Sequence, residues 1–128
     1  MRRAAVFLDR DGVINHERGD YTWRPEDIEL LPDVAEAIRA LRASGRLIIV
    51  VTNQGGVGRG LYGVPDVEAA HAHIARLLAA AGAHVDAFLY CPHHPETGRC
   101  LCRKPGSLLL ERAIARFRID PQRSVMIG

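Results

Sequence analysis

Four short runs of apolar residues recur along this chain, and a stretch with helical periodicity separates each run from the next. The runs cover residues 4–8, 47–51, 85–90 and 124–127. The first two runs are unbroken, which is typical of strands that are covered on both faces, whereas Asp86 lies within the third run and Ser124 begins the fourth. Because each crossover must return the chain to the same sheet, strands that alternate with helices predict a parallel sheet. We therefore expect a Rossmann-like α/β fold with helices on both faces of the sheet.

The helical stretches carry ordinary start and stop signals. The first follows Asp33 and ends before Gly45, and the second is predicted to be capped by Asp66 and to end before Gly82. Ser107 is the predicted cap of the third. No long linker, low-complexity tract or internal repeat interrupts this alternation, so the pattern indicates one continuous domain over residues 1–128.

Composition excludes several classes of function. The 128 residues include 17 basic and 15 acidic side chains, a formal net charge of +2, which is far from the dense basic field that nonspecific nucleic-acid binding requires. No apolar run approaches the roughly 18 residues of a membrane span. We expect a cytoplasmic monomer that contacts neither nucleic acid nor a membrane.

Two carboxylates, Asp9 and Asp11, follow the first apolar run and precede Gly12. In parallel sheets ligands bind beyond the carboxyl ends of the strands, so these side chains face a candidate crevice. Paired carboxylates suit a divalent cation such as Mg²⁺, and one can attack a substrate while the other moves protons. The alternative is an acidic turn, because Asp-Gly is a common turn signal.

Other polar groups also follow predicted strands. Thr52 and Asn53 offer a hydroxyl and an amide to phosphate oxygens, although polar residues end most strands. Arg59, between glycines, can reach a second anionic group or remain a surface arginine. Lys104, the only lysine in the chain, can neutralise charge on a transferring phosphoryl group or be an ordinary surface lysine.

A segment rich in cysteine and histidine lies between the third apolar run and Lys104. Its predicted ligands are Cys91, His93, Cys100 and Cys102, which form the donor set of a closed tetrahedral zinc site. Alternation along the chain favours His93 over His94. The segment has little apolar content, so it is expected to need the metal to hold its shape. Reduced cysteines near unrelated histidines are the alternative.

The remaining aromatic and imidazole groups receive ordinary assignments. His71 and His73 do not share a helix face, and they are predicted at the surface together with His84. Tyr21 and Trp23 are expected to fill a small satellite core, or to lie over a ligand.

Four segments together resemble the haloacid dehalogenase (HAD) superfamily of phosphatases. They are Phe-Leu-Asp-Arg-Asp-Gly-Val-Ile-Asn from position 7, Val-Thr-Asn-Gln from position 51, Cys-Pro-His-His-Pro from position 91, and Cys-x-Cys-Arg-Lys-Pro from position 100. Within the superfamily they are similar to the D-glycero-D-manno-heptose 1,7-bisphosphate phosphatases and to the related histidinol-phosphate phosphatases.

The resemblance implies a Mg²⁺-dependent phosphatase that acts on a small sugar bisphosphate through an aspartyl-phosphate. Asp9 would be the nucleophile and Asp11 the general acid and base, with Mg²⁺ held by the Asp9 carboxylate and the Asp11 backbone carbonyl. The resemblance also implies that the phosphoryl group is bound by Thr52, Asn53 and Lys104. Arg103 and Arg59 would lie near the sugar or its second phosphate. The resemblance further implies a structural zinc on the four ligands already named, and no large cap domain, since residues 12–32 have room for a small flap only.

Members of the superfamily continue past the fourth strand with a further Mg²⁺-binding aspartate, a strand and helices. We therefore expect residues 1–128 to lack these elements, either as a fragment of a longer protein or as a truncated relative. Two other interpretations stay open: a histidinol-phosphate phosphatase, and a catalytically inactive, zinc-stabilised binding module.

Overall fold

The computed structural model describes residues 2–94, 102–104 and 106–128. Four parallel strands form one sheet in the order β3-β2-β1-β4. The strands are β1 (Ala5–Leu8), β2 (Leu47–Asn53), β3 (Ala87–Cys91) and β4 (Val125–Ile127). The helices are α1 (Val34–Ala43), α2 (Val64–Ala80) and α3 (Leu108–Phe117), and short 3-10 turns cover Pro25–Asp27 and Pro121–Arg123. The parallel α/β fold predicted from the alternating pattern is confirmed.

The sheet has a separate apolar layer on each face. Successive residues of a strand point to opposite faces, so β1 sends Val6 and Leu8 one way and Ala5 and Phe7 the other. The first pair packs in a cluster with residues of α1 and α2, including Ile38, Ile74 and Leu78. The second pair packs in a cluster with α3 residues, including Leu109 and Ala113. Helices therefore cover both faces, as the sequence predicts.

The start of α2 corrects one expectation. Asp66 is not the capping residue, because the helix begins at Val64 and Gly63 occupies the cap position. Asp66 lies one turn inside, and its Oδ2 accepts a 2.8 Å hydrogen bond from the backbone N–H of Gly63. A carboxylate in the first helical turn can satisfy the same unpaired amide groups as a capping residue. The sequence therefore predicts the start of this helix close to Asp66, three residues beyond the observed cap.

The connection between β1 and α1 forms a small flap. Backbone hydrogen bonds join His16 to Glu29 and Leu31 to Ile14, so the two ends of the connection run together. At its far end Trp23 stacks on Tyr62, with ring centroids 5.6 Å apart, and Tyr21 meets the same ring edge-on at 5.8 Å. These contacts fix the flap over the carboxyl ends of β1 and β2.

The outer strand β4 is the exposed edge of the sheet. Val125, Met126 and Ile127 are 55%, 41% and 45% exposed, whereas β1 beside it is fully buried. The backbone of β4 nevertheless reaches the candidate site, because the N–H of Asp9 donates to the carbonyl of Ile127 at 2.9 Å. Among the helices in the described ranges, none is both long enough and apolar enough to cross a bilayer.

Candidate active site

Asp9 and Lys104 meet directly beyond the carboxyl end of β1. The ammonium Nζ of Lys104 lies 3.1 Å from Oδ1 of Asp9, and both side chains are partly exposed. Lys104 Nζ also donates to the carbonyl of Val51 in β2 at 2.9 Å, which holds the ammonium between two neighbouring strands. The backbone N–H of Arg10 donates to the same Oδ1 at 2.8 Å. The polar groups that follow separate strands thus meet at one edge of the sheet, as the sequence predicts.

Asn53 ties the Lys104 segment to the end of β2. Its Oδ1 accepts a 2.9 Å hydrogen bond from the backbone N–H of Lys104, and its Nδ2 donates to the Lys104 carbonyl at 3.4 Å. Both ends of the amide therefore engage the backbone of the residue whose ammonium meets Asp9. Direct phosphate binding by Asn53 stays a prediction.

The carboxylate of Asp11 is held by several donors. Oδ1 accepts from Arg10 through Nε at 3.2 Å and Nη2 at 2.8 Å, and from Nδ2 of Asn15 at 3.0 Å. Oδ2 accepts from Nε2 of Gln54 at 3.1 Å. Asp11 is consequently fixed in orientation, with the larger number of donors on Oδ1.

A second layer of contacts orients Gln54. Tyr62 donates from its hydroxyl to Oε1 of Gln54 at 2.8 Å, while Nε2 also donates to Oγ1 of Thr52 at 3.1 Å. Burial raises the pKa of Tyr62 to about 12, so its hydroxyl keeps its proton at neutral pH. The Tyr62 ring lies directly over Gly56, where a Cβ atom would approach Cε1 to 2.1 Å. Thr52 therefore belongs to the Asp11 network in addition to its predicted role towards phosphate.

His71 overturns the prediction that it lies at the surface. It is 5% exposed, and its ring stacks on Phe88 with centroids 4.7 Å apart. Nε2 lies 3.3 Å from Nη1 of Arg10, and Arg10 is itself completely buried. The spacing of apolar residues along α2 indicates this burial, since His71 stands four residues after Val67 and three before Ile74 on the buried stripe of the helix.

A cleft of about 350 Å³ opens beside Asp11 under the flap. Asn53, Gln54, Tyr21 and Arg59 contribute to its walls, and two further carboxylates, Glu17 and Asp20, lie at the flap side. Neither acidic residue was singled out from the sequence, because charged residues in a loop have no distinctive pattern. Arg59 is exposed and adjoins the cleft, a position from which it can reach a bound anion.

Three of the predicted zinc ligands lie together. The donor atoms Cys91 Sγ, His93 Nδ1 and Cys102 Sγ all lie within 4.8 Å of one another. The two sulfur atoms are 2.7 Å apart, and His93 Nδ1 is 3.6 Å from Cys91 and 3.3 Å from Cys102. The fourth predicted ligand, Cys100, lies outside the described residues. The described atoms form a soft donor group able to hold a metal ion such as zinc.

Arg103 stands between Cys102 of this cluster and Lys104, the residue that contacts Asp9. Its Nη1 donates to the carbonyl of His93 at 3.2 Å and passes over Gly55, where an added Cβ would meet that nitrogen at 3.1 Å. Arg103 thereby connects the cysteine and histidine cluster with the loop after β2. Its predicted contact with the sugar or a second phosphate stays a prediction.

Comparison with known proteins identifies relatives over nearly the whole chain. No protein-family profile matches it. The D-glycero-alpha-D-manno-heptose-1,7-bisphosphate 7-phosphatase of Mycobacterium bovis is 44% identical over 125 residues, which cover 96% of this chain and 65% of that protein. The D-glycero-beta-D-manno-heptose-1,7-bisphosphate 7-phosphatase of Rhodopseudomonas palustris is 40% identical over 133 residues, covering 99% of this chain and 73% of the relative. The chain thus spans 65% of the length of the first of these relatives.

Solved structures agree with this relationship. A HAD-like phosphatase from Mesorhizobium loti superposes with a TM-score of 0.93 at 36% identity, covering 99% of this chain and 63% of that one. The D,D-heptose 1,7-bisphosphate phosphatase from B. bronchiseptica, crystallised with magnesium and phosphate, gives a TM-score of 0.84 at 35% identity, covering 91% of this chain and 65% of that one.

The chain has the fold of the HAD-like phosphatases. An acidic pair follows the first strand of its parallel sheet, and a lysine from a distant loop contacts that pair. The relatives narrow the class further. The chain belongs to the D-glycero-D-manno-heptose-1,7-bisphosphate 7-phosphatase family. The resemblance drawn from the sequence motifs is confirmed.

Proposed function

We propose that this protein is a phosphatase that removes one phosphate from a D-glycero-D-manno-heptose 1,7-bisphosphate. The observation that carries the proposal is the 3.1 Å contact between Lys104 Nζ and Asp9 Oδ1, in a chain 40% identical to a named heptose bisphosphate phosphatase. The relatives act on both anomers according to their names, so the proposal does not depend on the anomer.

Asp9 is the proposed nucleophile. Within the described part of the chain, hydrogen bonds and the ion pair reach its Oδ1, which assigns Oδ2 to the attack on phosphorus. A bond forms between Oδ2 and phosphorus as the bond from phosphorus to the sugar oxygen breaks, giving an aspartyl-phosphate and the free alcohol. Water then attacks the same phosphorus atom, which releases inorganic phosphate and restores the Asp9 carboxylate.

Asp11 is the proposed general acid and base. It gives a proton to the sugar oxygen as that group departs, and it takes a proton from the attacking water in the second step. The donors around its carboxylate support this role, because they hold it at the cleft in one orientation. The ammonium of Lys104 lies beside the nucleophile, where it offsets the negative charge that the phosphoryl group brings.

The residues present fit part of a Mg²⁺ site, to which the further aspartate that the resemblance implies would add a ligand. Carboxylate and carbonyl oxygens are the ligands that this cation prefers, and Asp9 and the backbone of Asp11 would supply them. The Asp11 side chain is engaged by Arg10, Asn15 and Gln54, which supports binding through its backbone carbonyl instead. When bound, the cation supplies positive charge that stabilises the phosphoryl oxygens in the transition state.

The cysteine and histidine cluster fits a structural zinc ion. Cys91, His93 and Cys102 would hold it with Cys100 as the fourth ligand, and thiolate ligands of this kind suit a reducing compartment such as the cytoplasm. Arg103 and Lys104 follow Cys102 directly, so ordering this segment would aim both cations at the substrate. We assign Arg59 and Arg103 to the sugar or its second phosphate.

The test is phosphate release from both anomers of the heptose 1,7-bisphosphate in the presence of Mg²⁺, with histidinol phosphate as the comparison substrate. We expect release of one phosphate per sugar, a strong preference over histidinol phosphate, and loss of activity with EDTA. Asp9→Asn is the matched control, because the amide keeps the size of the side chain but is a poor nucleophile. Rapid acid quenching followed by mass spectrometry should locate a phosphoryl group on Asp9 in the unmodified protein.

Folded protein that releases no phosphate from either anomer would overturn the proposal. Comparable turnover of histidinol phosphate would instead favour the histidinol-phosphate phosphatase interpretation. Full activity in Asp9→Asn would exclude the covalent step.

A further inference from the structure

We propose that Arg10 and His71 act as a pair of positioning residues that hold the carboxylate of Asp11 in the orientation from which it transfers its proton. The inference rests on the proposed function and adds to it two buried residues that touch neither the phosphoryl group nor the sugar. It follows from the contacts of a charged side chain that is completely enclosed by protein.

Arg10 is a buried cation whose donors are distributed over three partners. It is 0% exposed, and its Nε and Nη2 both donate to Oδ1 of Asp11. Nη2 also donates to the carbonyl of Thr22 in the flap, and Nη1 faces Nε2 of His71 at 3.3 Å. A buried guanidinium group destabilises the folded state unless its N–H donors are paired. Each of these three partners therefore restricts the orientation of the planar Arg10 guanidinium group.

His71 must act as the acceptor in its contact with Arg10. A guanidinium group has donors only, so Nε2 of His71 carries the lone pair and Nδ1 carries the proton. The ring is held in place by stacking on Phe88 and by an edge contact with Tyr90 at 5.6 Å. Burial, assisted by the Arg10 charge, lowers the pKa of His71 to about 3, which keeps the ring neutral at physiological pH.

The consequence falls on the two oxygens of Asp11. Oδ1 receives two donors from Arg10 and one from Asn15, whereas Oδ2 receives one donor from Gln54. An oxygen that accepts three hydrogen bonds has little capacity for another partner. The pair therefore anchors Oδ1, and Oδ2 is the atom that carries the proton to the departing sugar oxygen.

Loss of the contacts that anchor Oδ1 should reduce the rate most for substrates whose leaving group must receive a proton. A sugar alkoxide is a poor leaving group and needs the proton of Asp11, whereas nitrophenolate leaves without one. His71→Phe keeps an aromatic ring against Phe88 but removes the acceptor for Arg10. His71→Gln offers Oε1 near the position of Nε2 and should restore the hydrogen bond.

The experiment measures the first step by rapid mixing, as the burst of alcohol released while Asp9 becomes phosphorylated. We expect His71→Phe to slow the burst on the heptose bisphosphate by about 10- to 100-fold, a part of the 10²- to 10⁴-fold that proton transfer can contribute. The burst on p-nitrophenyl phosphate should change by less than about threefold, and His71→Gln should recover most of the sugar rate. Ile74→Ala, one turn further along α2, is the control for a general loss of stability.

Equal slowing on both substrates, or the same substrate pattern in Ile74→Ala, would show a merely structural role and overturn the inference. Unmodified protein that does not hydrolyse the bisphosphate at all would instead count against the proposed function. A measurement independent of turnover covers the case in which His71→Phe does not fold. Nitrogen NMR of the unmodified protein should find His71 with its proton on Nδ1 from pH 5 to pH 8, and a proton on Nε2 would contradict the Arg10 contact.

Discussion

The hydroxyl of Tyr62 donates a 2.8 Å hydrogen bond to Oε1 of Gln54, and this bond fixes which end of the Gln54 amide meets Asp11. An ionised carboxylate only accepts hydrogen bonds, so Nε2 must face Asp11 and Oε1 must face Tyr62. A hydroxyl on the loop after β2 thereby controls the orientation of a group that contacts the proposed acid.

Tyr62→Phe should leave Oε1 of Gln54 buried without its donor. We expect a loss of about 1–2 kcal/mol in the free energy of unfolding, together with a several-fold fall in kcat on the bisphosphate. Urea unfolding and steady-state kinetics measure the two effects. Tyr90→Phe removes a hydroxyl bonded to exposed Glu68 and should cost much less stability. Equal stability losses in the two variants would contradict the role assigned to Tyr62.

Gly56→Ala should displace the ring of Tyr62. The new Cβ would lie 2.1 Å from Cε1, a distance that neither the ring nor the loop can accept without moving. Overpacking of this kind costs about 1–3 kcal/mol, and thermal unfolding should register it. Gly63→Ala is the matched control, since its nearest neighbour would be Pro65 Cδ at 3.4 Å. If both variants melt alike, the close packing of Tyr62 on Gly56 is not what stabilises the loop.

Asn53→Ala should act through Lys104. The amide holds the Lys104 backbone, so its removal should raise KM and lower kcat by misplacing the ammonium. A double-mutant cycle with Lys104→Met tests this, because two residues that act through one group give non-additive losses. We expect the double variant to be little worse than Lys104→Met alone. Fully additive losses would instead support direct contact between Asn53 and phosphate.

Cys102→Ser should remove bound zinc and lower the melting temperature before it alters chemistry. The segment would lose a thiolate ligand, and each kcal/mol lost lowers Tm by roughly 4 °C in a domain of this size. Metal analysis and calorimetry check the result, with chelator-treated unmodified protein as the reference. A variant that melts normally and still contains stoichiometric zinc would exclude Cys102 as a ligand.

His71 should make stability depend on pH. Its pKa is lowered from 6.5 to about 3 in the folded protein, so between these values the unfolded chain binds a proton that the folded chain does not. Stability should therefore fall as pH decreases from about 6.5 towards 3, by up to about 1.4 kcal/mol per pH unit from this group. Urea unfolding at pH 7 and pH 4.5 should show a smaller decrease in His71→Phe than in the unmodified protein. His16→Gln, at an exposed position, should leave the difference unchanged.

The fold and the outline of the site could be predicted because they depend on local patterns. The unbroken apolar runs around Phe7 and Ile49 indicate buried parallel strands, and parallel strands bring their carboxyl ends together. Together with the motif that contains Lys104, this reasoning predicts that Lys104 lies at the same edge of the sheet as Asp9, and the structure places the two in contact.

The inner contacts of the site could not be predicted in the same way. Arg10 stands between two acidic residues, and nothing in the local pattern indicates that its guanidinium turns inward to meet a histidine of α2. The prediction that His71 lies at the surface is wrong because it rests on the spacing between His71 and His73 and leaves out the apolar stripe of α2 to which His71 belongs. The pairing of Tyr62 with Gln54 lies within one loop, and that of Asn53 with Lys104 spans 51 residues. Both depend on loop conformation that periodicity does not encode.

The strand that leads into Asp9 lies inside the sheet, with β2 on one side and β4 on the other. A shift of β1 by one residue would send Phe7 into the wrong layer and reverse the direction of every side chain along it. Local opening at the end of β1 therefore cannot move the Asp9 carboxylate gradually out of position. Hydrogen exchange of the β1 amides should proceed through global opening, and catalytic capacity should disappear on heating in one cooperative step together with the core.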